Sequence, residues 1–295
     1  MNALKIHEIP DRVTVSSGNG GLPVIRVRSD FSTAEIYPHG AHVTGFQKHG
    51  ETPLLFMSAA SEFHADKPIR GGVPIIFPWF GSREGGVPHG FARLAEWDLV
   101  ATTVLPLGSI KLCFQLPTDE PYRVTFDVTI GSSLIMELGV RNTGDAPFTF
   151  ETCLHTYFQI GDIHQLQISG LQGTRYHDQL FAADFSETAA AIRFSAETDR
   201  VYQDTAATVA IIDPVLDRSI IVSKTGSMST VVWNPWIAKS QRMPDFGDDE
   251  YLRMVCVESG NVSDHAVTLA PGEKALLTVE VSSFPLTDPT GSCAG

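Results

Sequence analysis

The chain is short of the features that usually announce a chemistry. It holds four cysteines in 295 residues, at 113, 153, 256 and 293. None forms a Cys-x-x-Cys pair or a Cys/His cluster with metal-site spacing, and a disulfide framework is not expected in a chain this large. Three of the four lie in strand-like runs, where a free thiol behaves as a small hydrophobe. No apolar run nears the roughly 20 residues that cross a bilayer, and no apolar h-region opens the chain. A cytoplasmic protein is therefore expected. There is no Gly-x-Gly-x-x-Gly after a strand, no P-loop, no His-Glu-x-x-His and no Gly-x-Ser-x-Gly. Nucleotide, nicotinamide and zinc chemistry thus have no local support. Basic residues are also few. Lys and Arg number 21 against 34 Asp and Glu, a net charge of −13. Such a chain repels nucleic acid and anionic membranes at long range. It can still hold a small anion, because a close arginine outweighs distant screened charge.

Long stretches of helical period are absent as well. What is present is strand after strand. Alternation of period two is clear in Tyr122–Ile130 and in 274–282. Further strands are expected at 23–29, 32–37, 42–47, 97–105, 109–116, 133–141, 147–160, 166–170, 206–212, 218–224, 229–234 and 252–259. A turn or two of helix is expected in 55–66 and 179–193. Gly, Asn and Pro punctuate the runs. Hydrophobic content of 43% and charged content of 19% fit a globular chain. The expectation is an all-β fold, a large antiparallel β-sandwich forming one catalytic domain over 1–295, with a loose tail from about 287.

Two ionisable residues interrupt otherwise apolar runs. Glu258 follows Met254-Val-Cys-Val257, and neither face of that strand is solvent-like. A buried carboxylate costs several kcal/mol unless it has partners. His155 lies in Glu151-Thr-Cys-Leu-His-Thr-Tyr-Phe158, on an alternation that also carries Cys153 and Tyr157. An imidazole there can donate or accept near neutral pH. The two read as an acid/base pair. Plainer readings stay open: His155 as a hydrogen-bonded structural histidine, and Glu258 paired with Arg70 or Arg93 to tie down a loop. Arg70 and Arg93 stand among glycines and suit a phosphate, or else form internal salt bridges. Asp199 passes for a turn aspartate, and Asp248-Asp249-Glu250 for a solvated acidic loop. Residues 67–93 and 233–251 mix aromatics, Pro, Gly and basic groups, as ligand-binding loops do. Trp79, Phe80, Trp233 and Trp236 either wall a pocket or cap the core.

Several motifs together resemble one family. They are 67–81 (Lys-Pro-Ile-Arg-Gly-Gly-Val-Pro-Ile-Ile-Phe-Pro-Trp-Phe-Gly), His89-Gly-Phe-Ala-Arg93, His155-Thr-Tyr-Phe158, Thr198-Asp-Arg-Val-Tyr202, Trp233-Asn-Pro-Trp236 and Val257-Glu-Ser-Gly-Asn261. In this order they resemble the glucose-6-phosphate 1-epimerases, or D-hexose-6-phosphate mutarotases, of the aldose 1-epimerase superfamily. The resemblance implies a galactose-mutarotase-like sandwich with its sugar site in a cleft on one sheet. It implies His155 as general acid and Glu258 as general base; as imidazolium and carboxylate, the two are expected to be held in that state by mutual attraction. It implies Arg70, Arg93, His89 and Asp199 as substrate-binding residues, with no cofactor and no metal. Where some members carry a glutamine that contacts substrate, this chain has Pro88, which cannot donate that hydrogen bond. The expected partner is a small hexose 6-phosphate, with no nucleic acid and no membrane, bound by a monomer. Two other functions remain in view: an aldose 1-epimerase of unphosphorylated sugars, and a sugar-phosphate-binding protein without activity. A glycoside hydrolase is a poorer match, because that chemistry usually wants two facing carboxylates.

Overall fold

The computed structural model describes residues 2–286. Nearly every ordered element is a β-strand, and every strand pairing is antiparallel. The tail from 287 and Cys293 lie outside the described residues.

A nine-stranded sheet runs in the spatial order Ala191–Ile192, Gln167–Ser169, Val209–Asp213, Arg218–Thr225, Lys274–Pro285, Leu134–Asn142, Tyr122–Ile130, Ile110–Gln115, Asp98–Val104. Its central strands obey strict alternation. Tyr122, Val124, Phe126, Val128 and Ile130 are buried, and Arg123, Thr125, Asp127 and Thr129 between them reach outward. Leu134, Met136, Leu138 and Val140 do the same on the next strand. One face packs and the other meets water, as period-two patterning requires.

An eight-stranded sheet lies across the core from it. Its path is Ala183–Ser186, Arg175–Asp178, Thr198–Tyr202, Ser229–Asn234, Met254–Asn261, Thr152–Leu154, Ile75–Ile76, with Tyr157–Gln159 also paired to Met254–Asn261. Its two central strands are buried at every position. Val255 and Val257 join the main core, while Val231, Cys153, Val201, Ile76 and Val262 form a smaller apolar cluster. A four-stranded meander (Val13–Ser17, Pro23–Arg28, Ser32–Tyr37, His42–Lys48) and a small pair (Phe148–Phe150 with Val267–Leu269) complete the fold.

The expected strand over 147–160 is three strands in two sheets. Glu151 breaks it first. Its two carboxylate oxygens accept backbone N–H bonds from Phe80 (2.9 Å) and Ser263 (2.6 Å). The second break is at His155, whose N–H donates to the Pro74 carbonyl rather than to a neighbouring strand. No helix forms in 55–66, and 179–193 contains the short strands Ala183–Ser186 and Ala191–Ile192 instead. Helix occurs at Asn2–Lys5 and Trp236–Ser240. Val13–Ser17, Ile75–Ile76, Arg175–Asp178, Thr198–Tyr202 and Val267–Leu269 are strands not anticipated from sequence. Glu250 is not simply solvated, since its carboxylate accepts from the backbone of Ala59 and Gly247. No helix among the described residues is long and apolar enough to cross a membrane.

Candidate active site

The register of the eight-stranded sheet assembles the floor of a cleft. Glu258 lies opposite Val231, and Cys256 lies opposite both Trp233 and Tyr157. Trp233 in turn lies opposite Asp199. Directly opposed residues share a face, so Glu258, Tyr157, Trp233 and Asp199 point to one side. The loops 67–93 and 233–251 rise around them. The resulting cavity of about 550 Å³ is lined by Arg70, His89, Arg93, His155, Tyr157, Asp199, Lys239 and Glu258, with Phe80, Gln179 and Trp233 among its walls. A cleft of about 490 Å³ along the four-stranded meander has no comparable acid/base pair.

The close approach of the first loop depends on glycine. Gly72 has φ +58°, and a Cβ there would sit 2.3 Å from the Val43 carbonyl oxygen. Gly90 has φ +69°, and its Cβ would meet the Phe77 carbonyl oxygen at 2.0 Å. Only glycine lets the chain pack this closely in the left-handed region. His89, beside Gly90, adopts φ +64° with a full side chain, a strained conformation of the kind that gathers at functional sites.

His155 and Glu258 meet at the centre. The imidazole Nε2 is 3.3 Å from Glu258 Oε1, with the carboxyl side chain 1% exposed and the imidazole 11%. The ring of His155 stacks on Tyr157 at 4.8 Å and takes Trp233 and His89 edge-on. Its Nδ1 is buried without a partner. The other Glu258 oxygen, Oε2, accepts from the Cys153 thiol at 3.6 Å.

Neither arginine ion-pairs with Glu258. Arg70 donates to Asp245 (3.1 Å) and to the Tyr157 hydroxyl (3.0 Å), so the internal salt-bridge reading holds for it, with Asp245 as the acid, and the pairing of Glu258 with an arginine does not form. Arg93 is different. It donates to the Pro88 carbonyl at 2.7 Å, and among the described residues its Nε is buried without a partner and no carboxylate lies within ion-pair distance. Proline at 88 thus gives up a side-chain donor, yet its carbonyl aims Arg93. Burial pulls the Arg93 guanidinium down to about 10, with Arg70 adding to the effect. A desolvated cation of this kind is stabilised by an incoming anion.

Burial works against the expected imidazolium and carboxylate. Burial pushes the Glu258 carboxyl well above the usual carboxylate range, and Asp199 adds to the rise. Burial also pushes His155 well below its ordinary value, reinforced by His89, Arg70 and Arg93. Against this desolvation Glu258 Oε2 receives only a weak thiol donor. Burial thus favours the neutral form of each group. Nearby, burial lowers His89 to about 4. Its Nδ1 accepts from the Gly81 N–H at 3.2 Å, leaving Nε2 to carry the proton. Burial raises Asp199, opposed by Lys239, whose Nζ lies 3.6 Å away.

All six residues singled out from sequence line this cleft. Tyr157, Gln179 and Lys239 line it too, and sequence gave no reason to assign them roles. The alternation shared with His155 hints at the face of Tyr157, and the register opposite Cys256 places it in the cleft. The aromatics divide: Phe80 and Trp233 wall the cleft, whereas Trp79 packs on Phe91 and Trp236 on Tyr251. His155, Cys256 and Glu258 also place one potential ligand atom each within 4.8 Å of one another. They could chelate a cation, although the proton chemistry described below needs none.

Solved structures share this architecture. A galactose mutarotase-like protein from Clostridium acetobutylicum matches it with a TM-score of 0.68 at 12% identity, covering 92% of this chain and 98% of that one. That likeness defines the fold: a galactose-mutarotase-like β-sandwich. The provisionally named mutarotase YeaD of Salmonella typhimurium is nearer, with a TM-score of 0.87 at 29% identity, covering 95% of this chain and 96% of that one. The aldose 1-epimerase family model matches residues 23–282, and the chain belongs to that family. A Cenchrus ciliaris protein provisionally named glucose-6-phosphate 1-epimerase is 37% identical over 269 residues, 85% of this chain and 82% of the relative. An Escherichia coli K12 protein with the same provisional name is 35% identical over 234 residues, 76% of this chain and 78% of the relative. The enzyme reading therefore stands over the binding-only one.

Proposed function

We propose that this enzyme interconverts the α and β anomers of a hexose 6-phosphate, with glucose 6-phosphate as the substrate. The observation that carries the phosphate is Arg93, a half-buried guanidinium with no carboxylate at ion-pair distance among the described residues, in the same cleft as the 3.3 Å His155–Glu258 pair. The names of the relatives support the same choice.

Anomer exchange requires the hemiacetal ring to open. A proton leaves the O1 hydroxyl, a proton reaches the ring oxygen, and the bond from C1 to the ring oxygen breaks. Rotation about C1–C2 presents the other face of the aldehyde, and the same transfers in reverse close the ring. Both oxygens sit on one carbon, so donor and acceptor must stand close together, as His155 Nε2 and Glu258 Oε1 do. One proton on the pair suffices, because each turnover returns it.

Substrate binding bears on which group holds that proton. Arg70 and Arg93 are among the charges that hold His155 down. A phosphate seated against Arg93 offsets them and moves the proton toward His155. His155 then serves as acid at the ring oxygen and Glu258 as base at O1. Asp199 and the Nε2–H of His89 orient sugar hydroxyls. Anchoring the phosphate away from C1 holds the reacting atoms against the pair.

Because Arg70 is already committed to Asp245, Arg93 is the one cleft guanidinium without an ion-pair partner among the described residues. That observation keeps an unphosphorylated aldose as the second reading. Magnetisation exchange between the anomeric protons of glucose 6-phosphate and of glucose, each with and without enzyme, separates the two. Acceleration of the phosphate ester alone supports the proposal, and equal acceleration of both sugars removes it. A sugar phosphate is too highly charged to cross a bilayer unaided, so the proposed setting is the cytoplasm, with the protein acting as a monomer.

A further inference from the structure

The acid/base reading accounts for one oxygen of Glu258 and leaves the other to a cysteine. Cys153 lies on Thr152–Leu154, directly opposite Gly260 on the strand that carries Glu258. Gly260 and Glu258 are two residues apart, so they share a face. A Cβ at 260 would stand 2.8 Å from the Cys153 Cβ and 2.4 Å from the Thr152 carbonyl oxygen. Glycine at 260 therefore opens the space through which the thiol reaches the carboxyl. The Sγ lies 3.6 Å from Glu258 Oε2, and both residues are buried. No other donor reaches Oε2 among the described residues. Ile76, Val201, Val231 and Val262 enclose the contact in a small apolar cluster.

We propose that Cys153 is a positioning residue for the proton exchange. Its S–H, donated to Oε2, fixes the rotation of the Glu258 carboxyl and keeps Oε2 an acceptor, so that the exchanging proton stays on Oε1 facing His155. The thiol suits this task because it keeps its proton. Burial and the neighbouring Glu258 both push it well above its ordinary value, so it donates and does not compete as a base. A carboxyl without this contact can rotate and present either oxygen, which puts the proton on the wrong side for part of the time. The inference rests on the acid/base reading of Glu258 given above.

Three proteins test it: wild type, Cys153→Ala and Cys153→Ser. The expected result for Cys153→Ala is a fall in kcat of about tenfold with KM within about twofold, since a hydrogen bond to an ionisable group is worth roughly this much. The alkaline limb of its pH profile moves upward, because Glu258 loses a donor. Cys153→Ser keeps a donor and recovers most of the kcat. Infrared spectroscopy supplies a readout independent of turnover. The S–H stretch of Cys153, identified as the band missing from Cys153→Ala, shifts when wild type is compared with Glu258→Gln. If the Ala protein does not fold, the band missing from Cys153→Ser identifies the thiol instead. Wild-type kcat and pH profile in Cys153→Ala, or an S–H band indifferent to Glu258→Gln, would overturn the proposal. A wild-type protein with no anomer exchange at all would instead sink the functional reading, and the S–H band would still decide the thiol contact.

Discussion

The nine-stranded sheet and the eight-stranded sheet are built from similar residues to opposite ends. On Tyr122–Ile130, buried and outward residues alternate without exception, and no charged group faces the core. On Met254–Asn261 every residue is buried, including a carboxyl whose side-chain partners among the described residues are a histidine and a thiol. The first arrangement follows the cheapest rule for a half-wet sheet. The second breaks it, and the breach coincides with the cleft. The first sheet gives its inner face to the core, whereas the second shares in the core and also carries the cleft.

Substitutions should divide along that line. The largest effect belongs to the alternating sheet. Phe126→Ala removes a fully buried ring and is expected to cost about 3–5 kcal/mol in denaturant unfolding, leaving kcat nearly unchanged in whatever remains folded. On the other sheet the order reverses. His155→Ala and Glu258→Gln are each expected to slow anomer exchange by at least ~100-fold. Glu258→Gln should not destabilise. The folded carboxyl has a raised pKa, so its contribution is favourable below the unfolded value and is lost as pH rises through the folded one. At neutral pH the carboxyl opposes folding, and the glutamine protein should melt about 2 °C higher or more. A lower melting temperature with intact activity would erase the division.

Acid sharpens the comparison further. His42 is fully buried, with its pKa lowered to about 3. Its unfolded form takes up a proton below about 6.5 while the folded form does not, so stability falls as pH drops through that window. Glu258 acts in the opposite sense, so the measurement belongs in the Glu258→Gln protein. There, unfolding at pH 5 is expected to be easier than at pH 7 by about 2 kcal/mol from His42 alone, and His89 and His155 act in the same direction. The smallest effect is expected at Arg93. Arg93→Ala should raise KM for glucose 6-phosphate about tenfold or more and leave free glucose nearly untouched, a loss of roughly 1.4 kcal/mol per tenfold.

Much of this was legible in the sequence. Strict alternation announces Tyr122–Ile130 directly, because burial on one face leaves a period-two trace. Glu258 was legible for the converse reason, as a carboxyl where the pattern allows none. His155 was harder to read. Its run looks like a single strand, and the break at 155 comes from a hydrogen bond to Pro74 that local pattern does not record. The partner of Arg70 lies 175 residues away at Asp245, and nothing near either residue signals the pairing. Lys239 and Tyr157 enter the cleft through loop packing and strand register. The protonation of the pair is hard to read from sequence because it depends on what surrounds Glu258. In sequence the histidine looks like sufficient compensation, and only the folded cleft shows how little else solvates the carboxyl.

At the centre of the proposed mechanism stands proton exchange through Nε2 of residue 155 and Oε1 of residue 258, which lie 3.3 Å apart. The most direct test is the α-to-β exchange rate of glucose 6-phosphate, read from its anomeric protons at saturating substrate with wild type and with Glu258→Gln. Fast exchange in wild type and the uncatalysed rate in the folded variant is the predicted result. Exchange in the variant at the wild-type rate would show that the sugar's protons move through other groups.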